Sequence, residues 1–256
     1  MSYLQRLRDA KSIHDLAGIL GFKPNRLAYI IYKLPPGSKY SEFKRPKRDG
    51  GHRIILSPEP RLKLLQRRLA NLLYDCVDEI HNGNRRSFAH GFEKGRSIVT
   101  NAALHKRRRY VLNIDIEDFF PSFNFGRVRG YFIKDRCFSL EPAVATIIAQ
   151  IACHENQLPQ GSPCSPIISN LISHILDLRL ARFAKQHRCT YSRYADDLTF
   201  STNRKDFPAE LAAAVPGAPA LWELGESLIG EINRAGFQIS HRKTRMQRRG
   251  SRQVVT

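Results

Sequence analysis

The side chains whose type and spacing suit chemistry are three aspartates. In "YSRYADDLTFS", residues 191–201, Asp196 and Asp197 stand side by side within a short apolar stretch. Strand interiors are depleted in Asp, and neighbouring carboxylates repel. A third acid, Asp115, closes the β-rich run "YVLNIDI", and Glu117 and Asp118 follow it in "NIDIEDFFPSF". Three carboxylates converging on one pocket would bind two Mg²⁺ ions, which are hard, seek oxygen and are shared with substrate phosphates. A metal pair of that kind activates an attacking hydroxyl and stabilises a leaving oxygen in phosphoryl transfer. A bare Asp-Asp dipeptide reads more simply as a solvated turn; the third acid and the charge of the chain tip the balance.

That charge is extreme. Lys plus Arg number 42 against 23 Asp plus Glu, a net +19 over 256 residues. A surplus of this size attracts polyanions, and nucleic acid is the commonest. An anionic membrane is the competing partner, but no basic amphipathic helix with a bulky apolar face stands out. The apolar and charged fractions, 42% and 25%, are those of an ordinary soluble protein with a sizeable core. Five cysteines lack CxxC spacing or a Cys/His cluster, so neither a zinc site nor a disulfide framework is expected. The opening "MSYLQRLRDAKS" is not a signal peptide, and the apolar run at Val144–Ala152 is too short to span a bilayer. The expectation is a cytoplasmic protein with no membrane partner.

Several elements must position the acids. Alternation places Leu112, Ile114 and Ile116 on one face of a strand, and Val111, Asn113 and Asp115 on the other. Residues 191–200 read as a hairpin with Asp196 and Asp197 at its tip, where both side chains reach one ligand. Ser165-Pro166 start a helix with Ile168, Leu171, Ile172, Ile175 and Leu178 inward. Residues 61–80 form another, with Leu62, Leu65, Leu69, Leu72 and Leu73 on one side. Residues 12–33 read as two short helices broken at Gly21, either a helix-turn-helix or, more simply, a cap packed on a larger domain. Asp49-Gly50 ahead of Arg53–Leu56 looks like a hairpin turn. Residues 207–220 read as a variable loop, and 236–247 as a turn, a strand and a basic turn. Helices and strands mix without βαβ alternation, which favours α+β.

"YADD" after an apolar strand, "NIDIEDFFPSF" upstream and "LPQGSPCSP" between them resemble the ordered blocks of reverse transcriptases. The blocks run from about residue 50 to the C-terminus. Within that superfamily the chain most resembles bacterial retron reverse transcriptases. Asn101-Ala102-x-x-His105 looks like their NAxxH signature, and Val255-Thr256 like the start of their VTG signature.

The resemblance implies a right-hand polymerase of fingers and palm, with an antiparallel palm sheet and an N-terminal helical extension. The extension would take residues 1–40, the fingers 41–108, the first catalytic palm strand 109–126, fingers and palm helices 127–160, and palm 161–256. The thumb of the family would be absent from this chain. It further implies that Asp115, Asp196 and Asp197 bind the two Mg²⁺ ions, joined by the backbone carbonyl of Ile116. Phe120 matches the steric gate against a 2′-hydroxyl; it reads otherwise as a core aromatic, and Phe119 exchanges with it if the register slips. Gln160 and Gly161 match the loop bordering the incoming nucleotide, and Arg53 the arginine that grips its triphosphate, with Lys47 and Arg48 as lesser helpers. Lys243 matches a lysine that protonates the departing pyrophosphate, or else contacts the template backbone.

Asn101, His105, Arg107, Arg108 and Arg109, with Arg242 and Arg245, are expected along the nucleic acid, the arginines on phosphates. For His105 a structural role at a helix end stands equally open. Gly91, Arg96 and Ser97 match another fingers block. The implied partners are a structured non-coding RNA that serves as template and primer, an RNA–DNA hybrid, dNTPs and a separate effector protein. The implied activity is copying of that RNA into branched RNA-linked DNA (msDNA) within an anti-phage system. The rivals are a group II intron-like or abortive-infection reverse transcriptase, and a non-catalytic nucleic-acid binder.

Overall fold

The computed structural model describes residues 1–46, 50–81, 87–250 and 253–255. Lys47, Arg48, Asp49 and Thr256 of the sequence expectations lie outside them. In chain order the helices are α1 (Tyr3–Asp9), α2 (Ile13–Leu20), α3 (Pro24–Ala28), α4 (Pro60–His81), α5 (Ile98–Leu104), α6 (Phe125–Lys134), α7 (Pro142–Ala152), α8 (Ser165–Gln186) and α9 (Glu226–Arg234). The strands are β1 (Tyr40–Pro46), β2 (His52–Pro58), β3 (Tyr110–Glu117), β4 (Thr190–Tyr194), β5 (Asp197–Thr202), β6 (Ala212–Val215), β7 (Ala218–Leu224) and β8 (Gln238–Arg248). They divide into two compact units, Met1–Arg85 with Phe120–Ile172, and Arg86–Phe119 with Ser173–Thr256.

The first unit is helical, with one hairpin. Ser12 and Asp15 form a capping box at the start of α2, and Gly21 ends that helix at φ 69°, a left-handed conformation that glycine adopts without penalty. The Arg68 guanidinium of α4 then donates to the Leu20 and Gly21 carbonyls, satisfying acceptors the helix end leaves open. Glu79, also on α4, accepts from the Tyr3 and Leu4 amides at the start of α1. Leu7, Leu16, Ala17, Leu20, Leu27 and Ile30 are buried, so the N-terminal helices spend their apolar faces on packing, as a cap does. In α4, Leu65, Leu69 and Leu73 are fully buried, each worth on the order of 2 kcal/mol. Strands β1 and β2 pair antiparallel from Tyr40↔Pro58 to Pro46↔His52.

The second unit is built on a four-stranded antiparallel sheet in the order β4-β5-β3-β8. Residues 207–220 are not simply a loop. Ala212–Val215 and Ala218–Leu224 pair as a hairpin that closes with Val215 opposite Ala218, across a two-residue turn whose Gly217 sits at φ 77°. The inward face of α8 also differs from its apolar periodicity: Ile175 is 61% exposed and Leu178 48%, whereas Ser173 and Asp177 are buried. The buried acid explains the rotation, because its partner lies on β4, as described below.

Candidate active site

Strands β4 and β5 close with Tyr194 opposite Asp197, so the turn between them is Ala195-Asp196. The tip therefore holds Asp196, while Asp197 opens β5; the expectation of both acids at the tip is corrected by one residue. Ala195 takes φ 55°, which costs an L-residue about 1–2 kcal/mol. Neighbouring groups hold the turn. The Ile116 amide donates to the Asp196 carbonyl at 2.9 Å, and Arg193 Nη1 donates to the Ala195 carbonyl at 3.1 Å. Phe88–His90 runs beside β4, with Arg193 N donating to Phe88 O and His90 N to Arg193 O.

Gly91 follows, and a Cβ on it would lie 2.6 Å from the Ala195 nitrogen. Backbone on both sides cannot yield as a side-chain tip does. Gly91→Ala is expected to destabilise the protein by about 1–3 kcal/mol and to displace the acid turn. Urea denaturation checks the first effect, and any nucleotidyl-transfer assay the second.

Register brings the acids together. Asp115 is the direct cross-strand partner of Asp197, which places both carboxylates on one face with Cβ atoms about 5 Å apart. On its other side Asp115 faces Ser240 of β8, and Asn113 faces Arg245. Strand β8 thus takes five steps where β3 takes two, and three extra residues bulge out. The Thr244 hydroxyl bonds back to the Ser240 carbonyl within this bulge. Lys243, at its crest, sets Nζ 3.1 Å from both oxygens of Asp115. The basic turn read from the sequence is this bulge.

Asp115 is only 8% exposed, and a carboxylate so placed needs a cation. Among the described residues no group of three or more His, Cys, Asp or Glu side chains is gathered as a metal site. Asp115 and Asp197 form an opposed pair, and Asp196 is next in the chain. The donors are all hard oxygens and the Lys243 ammonium already rests on two of them, so a divalent cation fits their chemistry.

Two features escaped the sequence reading. Arg193 is fully buried (0% exposed) and forked onto Asp177 of α8, Nε to Oδ1 and Nη2 to Oδ2, both at 2.8 Å. Burial opposes its charge, but the Asp177 carboxylate outweighs burial and holds Arg193 protonated. The Tyr191 hydroxyl donates to the same carboxylate at 2.8 Å. A lone Asp in the apolar helix segment "ILDLRLA" and an Arg in mid-strand were the available signal.

The second is the interior of the NAxxH signature. His105 (2% exposed) lies between Ser201 at Nδ1 and Ser192 at Nε2, each 2.7 Å away. The Ser192 hydroxyl gives its proton to Asn101, which is fully buried, so Nε2 of His105 must be the donor and Nδ1 the acceptor. Both groups are buried and bonded within the fold, which favours the structural role that stood open for His105 and gives Asn101 one as well. Burial, then Arg108 and His90, lower the His105 pKa to about 4. Its neutral form belongs to the fold. Stability from it is therefore complete above the ordinary histidine pKa of about 6.5 and is lost as pH falls through about 4. Urea midpoints are expected to fall across that window, and less so in His105→Gln, which has no proton to gain.

The nucleotide-binding candidates, Arg53, Phe120, Gln160 and Gly161, fall in the first unit. Arg53 is exposed on β2, opposite Arg45. The Gln160 carbonyl accepts from the Leu56 amide at 2.8 Å, and Gly161, at φ 125°, would place a Cβ 2.5 Å from the Leu56 carbonyl. The close approach that requires this glycine is thus to β2 itself. Phe119, at the end of the second unit's first segment, is buried, stacked on Phe237 and lies beneath the Arg193 guanidinium. That leaves Phe120 as the half-buried ring of the two.

The basic runs adjoin. Tyr110 pairs with Arg248, and Arg249 N donates to the Arg109 carbonyl. Arg107, Arg109, Arg242 and Arg245 are exposed, whereas Arg108 is partly buried and reaches Thr190. Arg96 bonds His90 and the Ala89 carbonyl, and Ser97 caps α5. Gln247 bonds both the amide and the carbonyl of Val254, fixing the residue before Val255.

A family model described as Reverse transcriptase (RNA-dependent DNA polymerase) matches residues 45–254. The chain belongs to that family. Among curated proteins, the retron Mx162 reverse transcriptase of Myxococcus xanthus is 34% identical over 98% of this chain and 53% of its own length. The retron Mx65 enzyme of the same organism is 37% identical, with 94% and 56% covered. The retron Ec86 reverse transcriptase of Escherichia coli is 33% identical, with 74% and 57% covered. The resemblance to retron reverse transcriptases is borne out, and the chain spans about half the length of these relatives.

Solved telomerases share the fold. That of Candida albicans, in complex with a fragment of telomeric RNA, superposes with TM-score 0.53 at 9% identity, covering 90% of this chain and 46% of its own. Apo telomerase from Candida tropicalis gives 0.51 at 13%, with 82% and 44% covered. The architecture is the expected α+β reverse-transcriptase fold, fingers and palm with an antiparallel palm sheet and N-terminal helices. Among the described residues no helix is long and apolar enough to cross a membrane.

Proposed function

We propose that this reverse-transcriptase chain is an RNA-directed DNA polymerase of retron type, acting in the cytoplasm. The observation that carries the reading is the direct pairing of Asp115 with Asp197, under the Lys243 cation. In this reading residues 1–40 are the helical extension, 41–108 the fingers, 109–126 the first palm strand, 127–160 fingers and palm helices, and 161–256 palm. Asp115, Asp196, Asp197 and the Ile116 carbonyl would hold two Mg²⁺ ions, whose chemistry is to polarise phosphoryl oxygens and lower the pKa of a coordinated hydroxyl.

The chain's own residues do the rest. Arg53 presents a planar fork to the triphosphate of a dNTP. Gln160 and Gly161 border that nucleotide, and the Phe120 ring crowds a 2′-hydroxyl. Lys243, beside Asp115, gives a proton to the departing pyrophosphate. Arg107, Arg108, Arg109, Arg242 and Arg245 neutralise phosphates of an RNA–DNA hybrid without reading its sequence. Removing the ring tests the gate: Phe120→Ala is expected to raise ribonucleotide incorporation relative to deoxynucleotide by about tenfold or more. Paired kcat/KM values for one dNTP and its NTP measure it.

By the likeness to retron enzymes, the template is a dedicated structured RNA that also supplies a 2′-hydroxyl primer, and the product is msDNA. An anti-phage role with a separate effector protein belongs to the same reading. Two measurements test it. Primer extension on RNA with Mg²⁺ and dNTPs is expected from the wild-type chain, and its absence rejects the polymerase. Nucleic acid extracted from the purified protein is expected to be one short structured species, and a heterogeneous pool rejects the retron assignment.

A further inference from the structure

A buried arginine with a strained turn on one side and a carboxylate on the other calls for an explanation that packing does not supply. Buried ion pairs add little stability over apolar side chains of the same volume. What a guanidinium adds is direction, because its donors form a rigid planar fork. Nε and Nη2 of Arg193 are both spent on Asp177, which fixes the plane, and Nη1 is left aimed at the Ala195 carbonyl. Tyr191, two residues earlier and on the same face of β4, anchors to the same carboxylate. The guanidinium also lies 5.9 Å over the Phe119 ring, just beyond the end of β3, the strand that carries Asp115. Ala195 at φ 55° would not hold its conformation unaided.

We propose that Arg193, oriented by Asp177, is a positioning residue that fixes the Ala195 carbonyl and thereby sets how Asp196 and Asp197 present their carboxylates to a divalent cation. It touches no reacting atom and acts through the turn. The inference rests on the polymerase reading above.

The test uses the full chain and two variants. Arg193→Lys keeps the charge but cannot fork. The triple variant Arg193→Met/Asp177→Leu/Tyr191→Phe removes the whole polar set and leaves an apolar interior. Melting, template–primer affinity, Mn²⁺ affinity by electron paramagnetic resonance and the Mg²⁺ dependence of extension are compared. The triple variant is expected to melt near the wild type and bind template–primer equally. Its Mn²⁺ affinity falls about tenfold and half-maximal extension needs about tenfold more Mg²⁺, the cost of losing an outer-shell support. Arg193→Lys falls between.

Wild-type metal affinity and Mg²⁺ dependence in a folded triple variant overturn the inference; if that variant does not fold, the same result in Arg193→Lys overturns it. A wild-type chain that binds no Mn²⁺ overturns the polymerase reading and this inference together. A wild type that binds it beside unaltered variants overturns this inference alone.

Discussion

Asp197→Asn is expected to reduce nucleotide addition by about 10²–10³-fold or more, the effect of removing one preorganised charge from a reacting phosphoryl group. Three consequences should separate this from general damage. Asp197 directly opposes Asp115, and facing like charges destabilise a sheet by about 0.2–1 kcal/mol, so the variant should melt at or slightly above the wild-type temperature. The adjoining basic runs at residues 106–109 and 245–249 are untouched, so template affinity and its salt dependence should hold. Asp115→Asn should be equally inactive but less stable, because it strips Lys243 of its counter-ion. Single-turnover extension, thermal melting and template binding measure all three. An Asp197→Asn protein with wild-type rates would show that the opposed carboxylates are not the reaction centre.

The largest loss of stability is expected from Arg193→Ala. The substitution leaves Asp177 buried with the Tyr191 hydroxyl as its one remaining side-chain partner among the described residues, and creates a cavity where a fully enclosed side chain stood. Breaking a buried pair in this way costs about 3–5 kcal/mol. Domains of this size hold about 5–15 kcal/mol in all, so the variant should express poorly or unfold at low urea. Asp177→Ala should cost as much, and the double substitution less than the sum, because the two residues touch. A loss under about 1 kcal/mol in Arg193→Ala would mean the pair is not supporting β4 against α8.

How far the sequence led can be traced in particular residues. Alternation in "YVLNIDI" placed Asp115 on the face where the structure has it, and the leucines of residues 61–80 fill α4 as their spacing requires. Side-chain period in a strand is two, so such patterns leave little freedom. Where an apolar pattern competed with a specific polar contact, it failed. Helix α8 turned Ile175 and Leu178 outward because Asp177 must reach Arg193, a partner sixteen residues away that periodicity does not reveal. Likewise the structural part that Asn101 and His105 play is visible only once Ser192 and Ser201 are seen to enclose them. The bulge that lifts Lys243 onto Asp115 is a property of two paired strands and is carried by neither alone.

The proposal that β3 and the β4–β5 turn share a bound metal can be tested directly. Substituting Fe²⁺ for Mg²⁺ in the presence of ascorbate and peroxide generates hydroxyl radicals that cut the backbone beside the bound ion. Cuts at residues 115–117 and again at 195–197, suppressed by excess Mg²⁺ and absent in Asp115→Asn, are the predicted result. Cuts confined to one of these segments, or a pattern that Asp115→Asn leaves unchanged, would contradict it.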